Sequence, residues 1–177
     1  MNQKNKLIIP KIIGHRGVKN LSPENTIHSI KKAIELGLNW VEVDVKITKD
    51  NIPILLHDDD LDRTTSGSGL VSSCNYSEIK KLDAGNFFYN YPTDIYVPTL
   101  EEVLKLCVKK KCGINIELKP NKEFEEKNVM EVLKVTKKFK HTLPIYYSSF
   151  DLESCILLKN ISPKSLVGIL IDNFKNF

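Results

Sequence analysis

Arginine is almost missing. Among 26 basic residues only Arg16 and Arg63 are arginines, about fifty positions apart in the first half of the chain. Lysine supplies the solvating charge elsewhere, so these two positions are where the planar fork that grips phosphate or carboxylate is expected. Basic residues do not gather with aromatics on one element, and the net charge is a mild +4, which leaves nucleic-acid binding without a footprint. No apolar run approaches the roughly 18 residues of a membrane-crossing helix. The early "LIIPKII" is short, interrupted, and lacks a small-residue cleavage site, so no secretory signal is read there. Cysteine is sparse: Cys74, Cys107, Cys112 and Cys155 form neither a C-x-x-C pair nor a zinc spacing. Three of them are expected to pack as small apolar residues in a reducing, cytoplasmic protein. Neither H-x-H nor H-E-x-x-H occurs, against a zinc-hydrolase centre. The acidic run 58–62 lacks the glycine and glutamate of a calcium-binding loop, and "GSG" at 67–69 lacks the lysine of a P-loop.

What the chain does contain alternates. With 177 residues, 41% of them hydrophobic, it is read as a single domain over 1–177. Strands are expected near 7–14, 40–48, 52–58, 113–119, 144–150 and 165–172. Helices are expected from Pro23 to Leu36 with Ser22 as N-cap, from about Thr99, over 123–139 and over 151–160. Strands alternating with helices predict a parallel α/β sheet. "GHRG" at 14–17 stands where the first apolar run ends, and fits either a catalytic strand end or a plain loop.

Two strands carry a detail that a doubly covered open sheet lacks. In "WVEVDVK" Val41, Val43 and Val45 share one face while Glu42 and Asp44 share the other. In "NIELK" Ile114, Ile116 and Leu118 oppose Asn115, Glu117 and Lys119. A central parallel strand covered by helices on both faces is apolar on both. A barrel wall, apolar toward outer helices and polar toward the interior mouth, fits this pattern; an edge strand with one wet face is the plainer alternative. Residues 42 and 44 lie about 6.6 Å apart along a strand and point the same way. With Glu117 they assemble three carboxylates, which must either hold protons or share a cation. An all-oxygen set suits Mg²⁺ or Ca²⁺. Taking Asp50-Asn51 as a two-residue hairpin places His57 opposite Asp44 on the same face, while His15 arrives from the first strand. Two histidines beside a cation suit acid–base catalysis near neutral pH.

The segments "GHRG", "PENT", "EVDVKITKDNIPILLHDDDLDRTT", "PTLEEVL", "NIELKP" and "SSFD", in this order over residues 12–151, closely resemble the glycerophosphodiester phosphodiesterase family. The resemblance implies a TIM-type (β/α) barrel and metal-dependent hydrolysis of glycerophosphodiesters to glycerol 3-phosphate and an alcohol, in phospholipid catabolism. It implies His15 and His57 as the acid–base pair and Glu42, Asp44 and Glu117 as metal ligands. Arg16 and Lys119 match its phosphate-binding cations.

A closed barrel takes about 250 residues. About five of eight βα units are counted here, and the family's closing strands, with their Trp-Thr-x-Asn stretch, have no counterpart. The expectation is an incomplete barrel with two unpaired strand edges. Self-association or a complementing chain at those edges follows as an expectation. So does a second reading, a truncated remnant that binds metal or ligand with little or no turnover.

Overall fold

Three valines of one strand begin the core. In the computed structural model, which describes residues 9–172, Val41, Val43 and Val45 are fully buried with Ile114, Ile116 and Leu118 of the neighbouring strand. Strands β1 (Trp40–Ile47), β2 (Pro53–Leu55), β3 (Gly113–Leu118), β4 (Ile145–Ser149) and β5 (Val167–Ile169) form one sheet, ordered β2-β1-β3-β4-β5. β1, β3, β4 and β5 are parallel, whereas β2 runs antiparallel against β1. The sheet is open rather than closed, as the segment count predicted.

Helices α1 (Ile27–Glu35), α4 (Leu100–Lys110), α5 (Glu125–Thr136) and α6 (Leu152–Ile161) cover the valine face. Ile30, Ala33, Leu100, Val103, Leu104, Val129, Val132 and Leu158 form one apolar cluster with the strands. α4 starts where expected. The Thr99 side chain accepts from the Glu102 N–H, and Glu102 reaches back to the Thr99 N–H, a reciprocal cap. Cys107, Cys112 and Cys155 are buried and unbridged, in keeping with their apolar role. Among the described residues, no helix is long and apolar enough to cross a membrane.

Three sequence expectations need correction. The first strand survives among the described residues only as a bridge between Gly14 and Val41; residues 7 and 8 lie outside them. The first helix begins at Ile27, not Pro23, because Asn25 takes a left-handed backbone (φ 56°) and Thr26 becomes the N-cap, accepting from Ser29 N–H at 3.1 Å. Pro23-Glu24-Asn25 is a turn.

The β1–β2 register also differs by one residue. Val45 faces Leu55 and Ile47 faces Pro53, because the connection is the three-residue loop Lys49-Asp50-Asn51, with Asn51 left-handed at φ 62°. The Thr48 hydroxyl, which accepts from the Ile52 N–H, fixes that loop. Residues 56–98, between β2 and α4, pack as a unit of their own. With the 3₁₀ turn Val71–Ser73 and short helices α2 (Tyr76–Ile79) and α3 (Asn86–Tyr89), they pack a second cluster of Ile54, Leu56, Leu61, Val71, Ile79, Ile95 and Val97.

Candidate active site

Strand pleating sets the centre. Glu42 and Asp44 project from the same face of β1, and the parallel register puts Asp44 beside Glu117 and Glu42 beside Asn115. One carboxylate oxygen from each of Glu42, Asp44 and Glu117 lies within 4.8 Å of the others. This is the grouping the strand alternation predicted. All three are buried as residues.

Burial, followed by the neighbouring Asp44 charge, pushes the Glu42 carboxyl up to about 8 against the hydrogen bond from Arg16 N–H. The same two causes, in the same order, raise Glu117. Oε1 of Glu42 and Oδ1 of Asp44 are buried without a hydrogen-bond partner. Buried polar atoms are nearly always paired, so two orphan acceptors aimed into one acidic group fit a hard cation. Glu42, Asp44 and Glu117 are the residues that would hold it.

The glycine-flanked segment lies against the start of β1. Gly14 N–H donates to Trp40 O, Glu42 N–H to Gly14 O, and Gly17 N–H to Glu42 O. Arg16 is left-handed (φ 51°) and Gly17 follows at φ 79°, so the chain curls back beneath β1. At Gly17 a Cβ would meet the Ser29 Oγ at 2.3 Å, so only glycine fits. The curl aims the Arg16 backbone N–H at Oε2 of Glu42 (2.9 Å) and leaves His15 Nε2 3.9 Å from the same oxygen. The His15 ring is half exposed. Partial burial, then the Arg16 and Lys19 charges, lower its pKa.

His57 does not sit opposite Asp44; Leu56 does, donating its N–H to Asp44 O at 3.2 Å. β2 ends at Leu55, so pleating no longer dictates where residue 57 points. Its ring is fixed instead by Asp58, whose Oδ1 lies 2.6 Å from Nδ1. The His57 charge still reaches the acidic group, favouring ionised Glu117. Lys119 Nζ is 3.3 Å from Oε1 of Glu117. The Arg16 guanidinium lies between carboxylates: Nη1 donates to Glu24 at 2.7 Å, and Nε is 3.1 Å from Oδ2 of Asp44 without a hydrogen-bond partner.

Sequence reasoning passed over several supporting side chains. Asn25 donates its amide to Asp44 Oδ2 (2.8 Å) and accepts from the Asp44 backbone N–H (3.1 Å), holding that residue at side chain and backbone together. Glu24 and Asp58 hold the two arginines, the one feature the scarcity of arginine had signalled. Lys46, fully buried on the carboxylate face, is paired with Asp59 at 2.7 Å. The aromatic end of β4 divides. Tyr147 turns into the core, its hydroxyl on Thr136, while Ser148 joins the polar face by donating to Asn115.

Glu24 titrates as an ion-paired group. Burial works to raise it, but hydrogen bonds from Arg63 and Arg16 outweigh burial and hold it at about 2, below the ordinary 4.5. A folded-state value below the unfolded one adds stability above pH 4.5, and that stability is lost as pH falls toward 2. Thermal melts between pH 6 and 2.5 are therefore expected to fall more steeply for the wild type than for Glu24→Gln. Parallel curves would remove Glu24 as an acid-labile stabiliser.

An α/β sheet with acidic and basic groups gathered on the face away from its helices defines an arc of a TIM-type barrel. Residues 15–176 match the model of the glycerophosphoryl diester phosphodiesterase family. The chain belongs to that family. It is 37% identical over 159 residues to a glycerophosphodiester phosphodiesterase of Caldanaerobacter subterraneus, covering 90% of this chain and 65% of the relative. Among solved structures it superposes with TM-score 0.88, at 36% identity, on an Oleispira antarctica phosphodiesterase in complex with the product sn-glycerol-3-phosphate. That match covers 92% of this chain and 66% of the other. The Agrobacterium tumefaciens glycerophosphodiester phosphodiesterase gives TM-score 0.80 at 31% identity, covering 90% and 66%. The chain thus spans just under two thirds of the length of the relatives it matches.

Proposed function

We propose that the chain hydrolyses glycerophosphodiesters to glycerol 3-phosphate and an alcohol, using a divalent cation, Mg²⁺ or Ca²⁺, held by Glu42, Asp44 and Glu117. The observation that carries this reading is the pair of buried, unpartnered carboxylate oxygens on Glu42 and Asp44, with His15 Nε2 3.9 Å from Glu42. A bound cation supplies charge neutralisation as negative charge builds on the phosphoryl oxygens. Arg16 and Lys119 bind the remaining phosphate oxygens. Arg16 Nε, 3.1 Å from Asp44 Oδ2, keeps the guanidinium beside the acidic group.

The histidines divide the proton work. Asp58 accepts a hydrogen bond from Nδ1–H of His57, which leaves Nε2 without a proton in the neutral ring. His57 then accepts a proton from the nucleophile, either water or the neighbouring glycerol hydroxyl. His15, whose Nε2 stands 3.9 Å from Glu42, donates to the leaving alcohol. On the same footing we assign the protein to the cytoplasm, in keeping with its four free cysteines.

The test is enzymatic release of glycerol 3-phosphate from glycerophosphocholine by the purified chain, with Mg²⁺ or Ca²⁺ and again with chelator. Cation-dependent release is expected. No release under either cation would overturn the reading. One observation favours a second reading: among the described residues β5 is the last strand on its side of the sheet, and its Ile169 is 55% exposed. Under it, the chain binds cation or phosphodiester without turnover. Ligand-induced stabilisation without product would mark that outcome, and gel filtration reads any pairing of the open edges.

A further inference from the structure

Two arginines and two carboxylates form an unbroken chain between the groups proposed for the reaction. Glu24 Oε1 accepts from Arg16 Nη1 and from Arg63 Nη2, both at 2.7 Å, and its Oε2 accepts from Arg63 Nη1 at 3.0 Å. The other side of the Arg63 fork grips Asp58, with Nε on Oδ2 and Nη2 on Oδ1. Asp58 in turn holds His57. The sequence Arg16–Glu24–Arg63–Asp58–His57 therefore joins the turn at 14–17 to the segment after β2.

Neither reacting group stands on a strand. The sheet anchors the backbone on either side of Arg16 and at Leu56, but neither the Arg16 guanidinium nor the His57 ring projects from a strand. What fixes them relative to one another is Arg63, 39 residues from Glu24 and five from Asp58. Only a guanidinium offers enough coplanar donors to grip two carboxylates at once; an ammonium cannot hold both in a fixed plane. Both carboxylates stay ionised, Glu24 at about 2 and Asp58 also at about 2, so the network is charged throughout the neutral range.

We propose that Arg63 is a positioning residue that couples the two halves of the site, setting the pose of Arg16 through Glu24 and the ring of His57 through Asp58. The proposal rests on the hydrolase reading for its catalytic consequence but not for the coupling itself.

The chain has only two arginines, so a ¹⁵N-labelled sample gives two side-chain Nε–H signals. In Arg63→Lys a single signal, that of Arg16, remains. It is expected to shift and to exchange faster with water, although the substituted residue does not touch Arg16. Should that variant not fold, Glu24→Gln is expected to move both signals together. An Arg16 signal unchanged by loss of Arg63, or a Glu24→Gln variant in which only one signal moves, overturns the coupling.

In turnover, Arg63→Lys is expected to lower kcat/KM about 10- to 100-fold, with a fall in kcat through His57 and a rise in KM through Arg16. A double-mutant cycle of Glu24→Gln with Asp58→Asn should fall short of the product of the single losses by at least about threefold. Additive losses overturn the proposal. A wild-type chain that releases no glycerol 3-phosphate fails the hydrolase reading instead, and the Arg16 signal still decides the coupling.

Discussion

His57→Ala is expected to lower the rate of glycerol 3-phosphate release by 10² to 10⁴, the ordinary worth of a general base at about neutral pH. The expectation rests on the ring's support. Asp58 holds Nδ1 at 2.6 Å, and Arg63 holds Asp58, so the Nε2 lone pair is presented without the cost of orienting it during reaction. The ring is mostly shielded from solvent but lies outside both apolar clusters, so its removal should leave the melting temperature nearly unchanged. Cation binding should survive as well, because His57 is not among the three grouped carboxylates. The combination is diagnostic: a folded, cation-binding chain that has lost turnover. His15→Ala should fall in the same range by removing proton donation to the leaving alcohol. Near-normal turnover by either variant would refute that histidine's role. Lost turnover together with lost cation response would show that the substitution had disturbed the carboxylates instead.

The centre was legible in the sequence because strand pleating is a rule of two. Once 40–48 and 113–119 are strands, the faces of Glu42, Asp44 and Glu117 follow, and parallel pairing brings Asp44 beside Glu117. His57 was less legible. Its placement depended on a loop one residue longer than expected, and the Thr48 side chain, not the Asp50-Asn51 pair alone, sets that length. The His57 ring is held by Asp58 instead, a contact that strand geometry does not describe. The first helix was misjudged for a related reason. Ser22-Pro23 is a good start signal, but Asn25 is drawn into a left-handed turn where its side chain can hold Asp44, nineteen positions away. The Glu24–Arg63 link spans 39 residues and follows no period. Only the rarity of arginine hinted at it.

Glu42→Gln is expected to weaken cation binding by more than about 100-fold, beyond the 10- to 100-fold typical of losing a residue that only supports a ligand. It should do so while leaving the cation-free fold intact or firmer. The amide keeps the shape of the side chain, and its carbonyl can still accept the Arg16 N–H that now meets Oε2 at 2.9 Å. The NH₂ then falls where the unpartnered Oε1 stands, and a nitrogen carrying two protons has no lone pair to offer a cation.

Without cation, burial and then the Asp44 charge raise the wild-type Glu42 carboxyl from 4.5 to about 8. Since the folded value exceeds the unfolded one, the wild type loses stability as pH rises from 4.5 to 8, where the unfolded chain ionises and the folded chain resists. Glutamine has no such dependence. In chelator, the melting temperature of Glu42→Gln relative to wild type should therefore climb across that interval. With Mg²⁺ or Ca²⁺ added, the order should reverse, because the wild type gains stability as the logarithm of cation concentration over its dissociation constant and the variant gains little. Calorimetric titration and melts with and without cation measure both halves. A variant that binds cation as the wild type does would remove Glu42 from the ligand set, and with it the reason for two acidic groups two positions apart on β1.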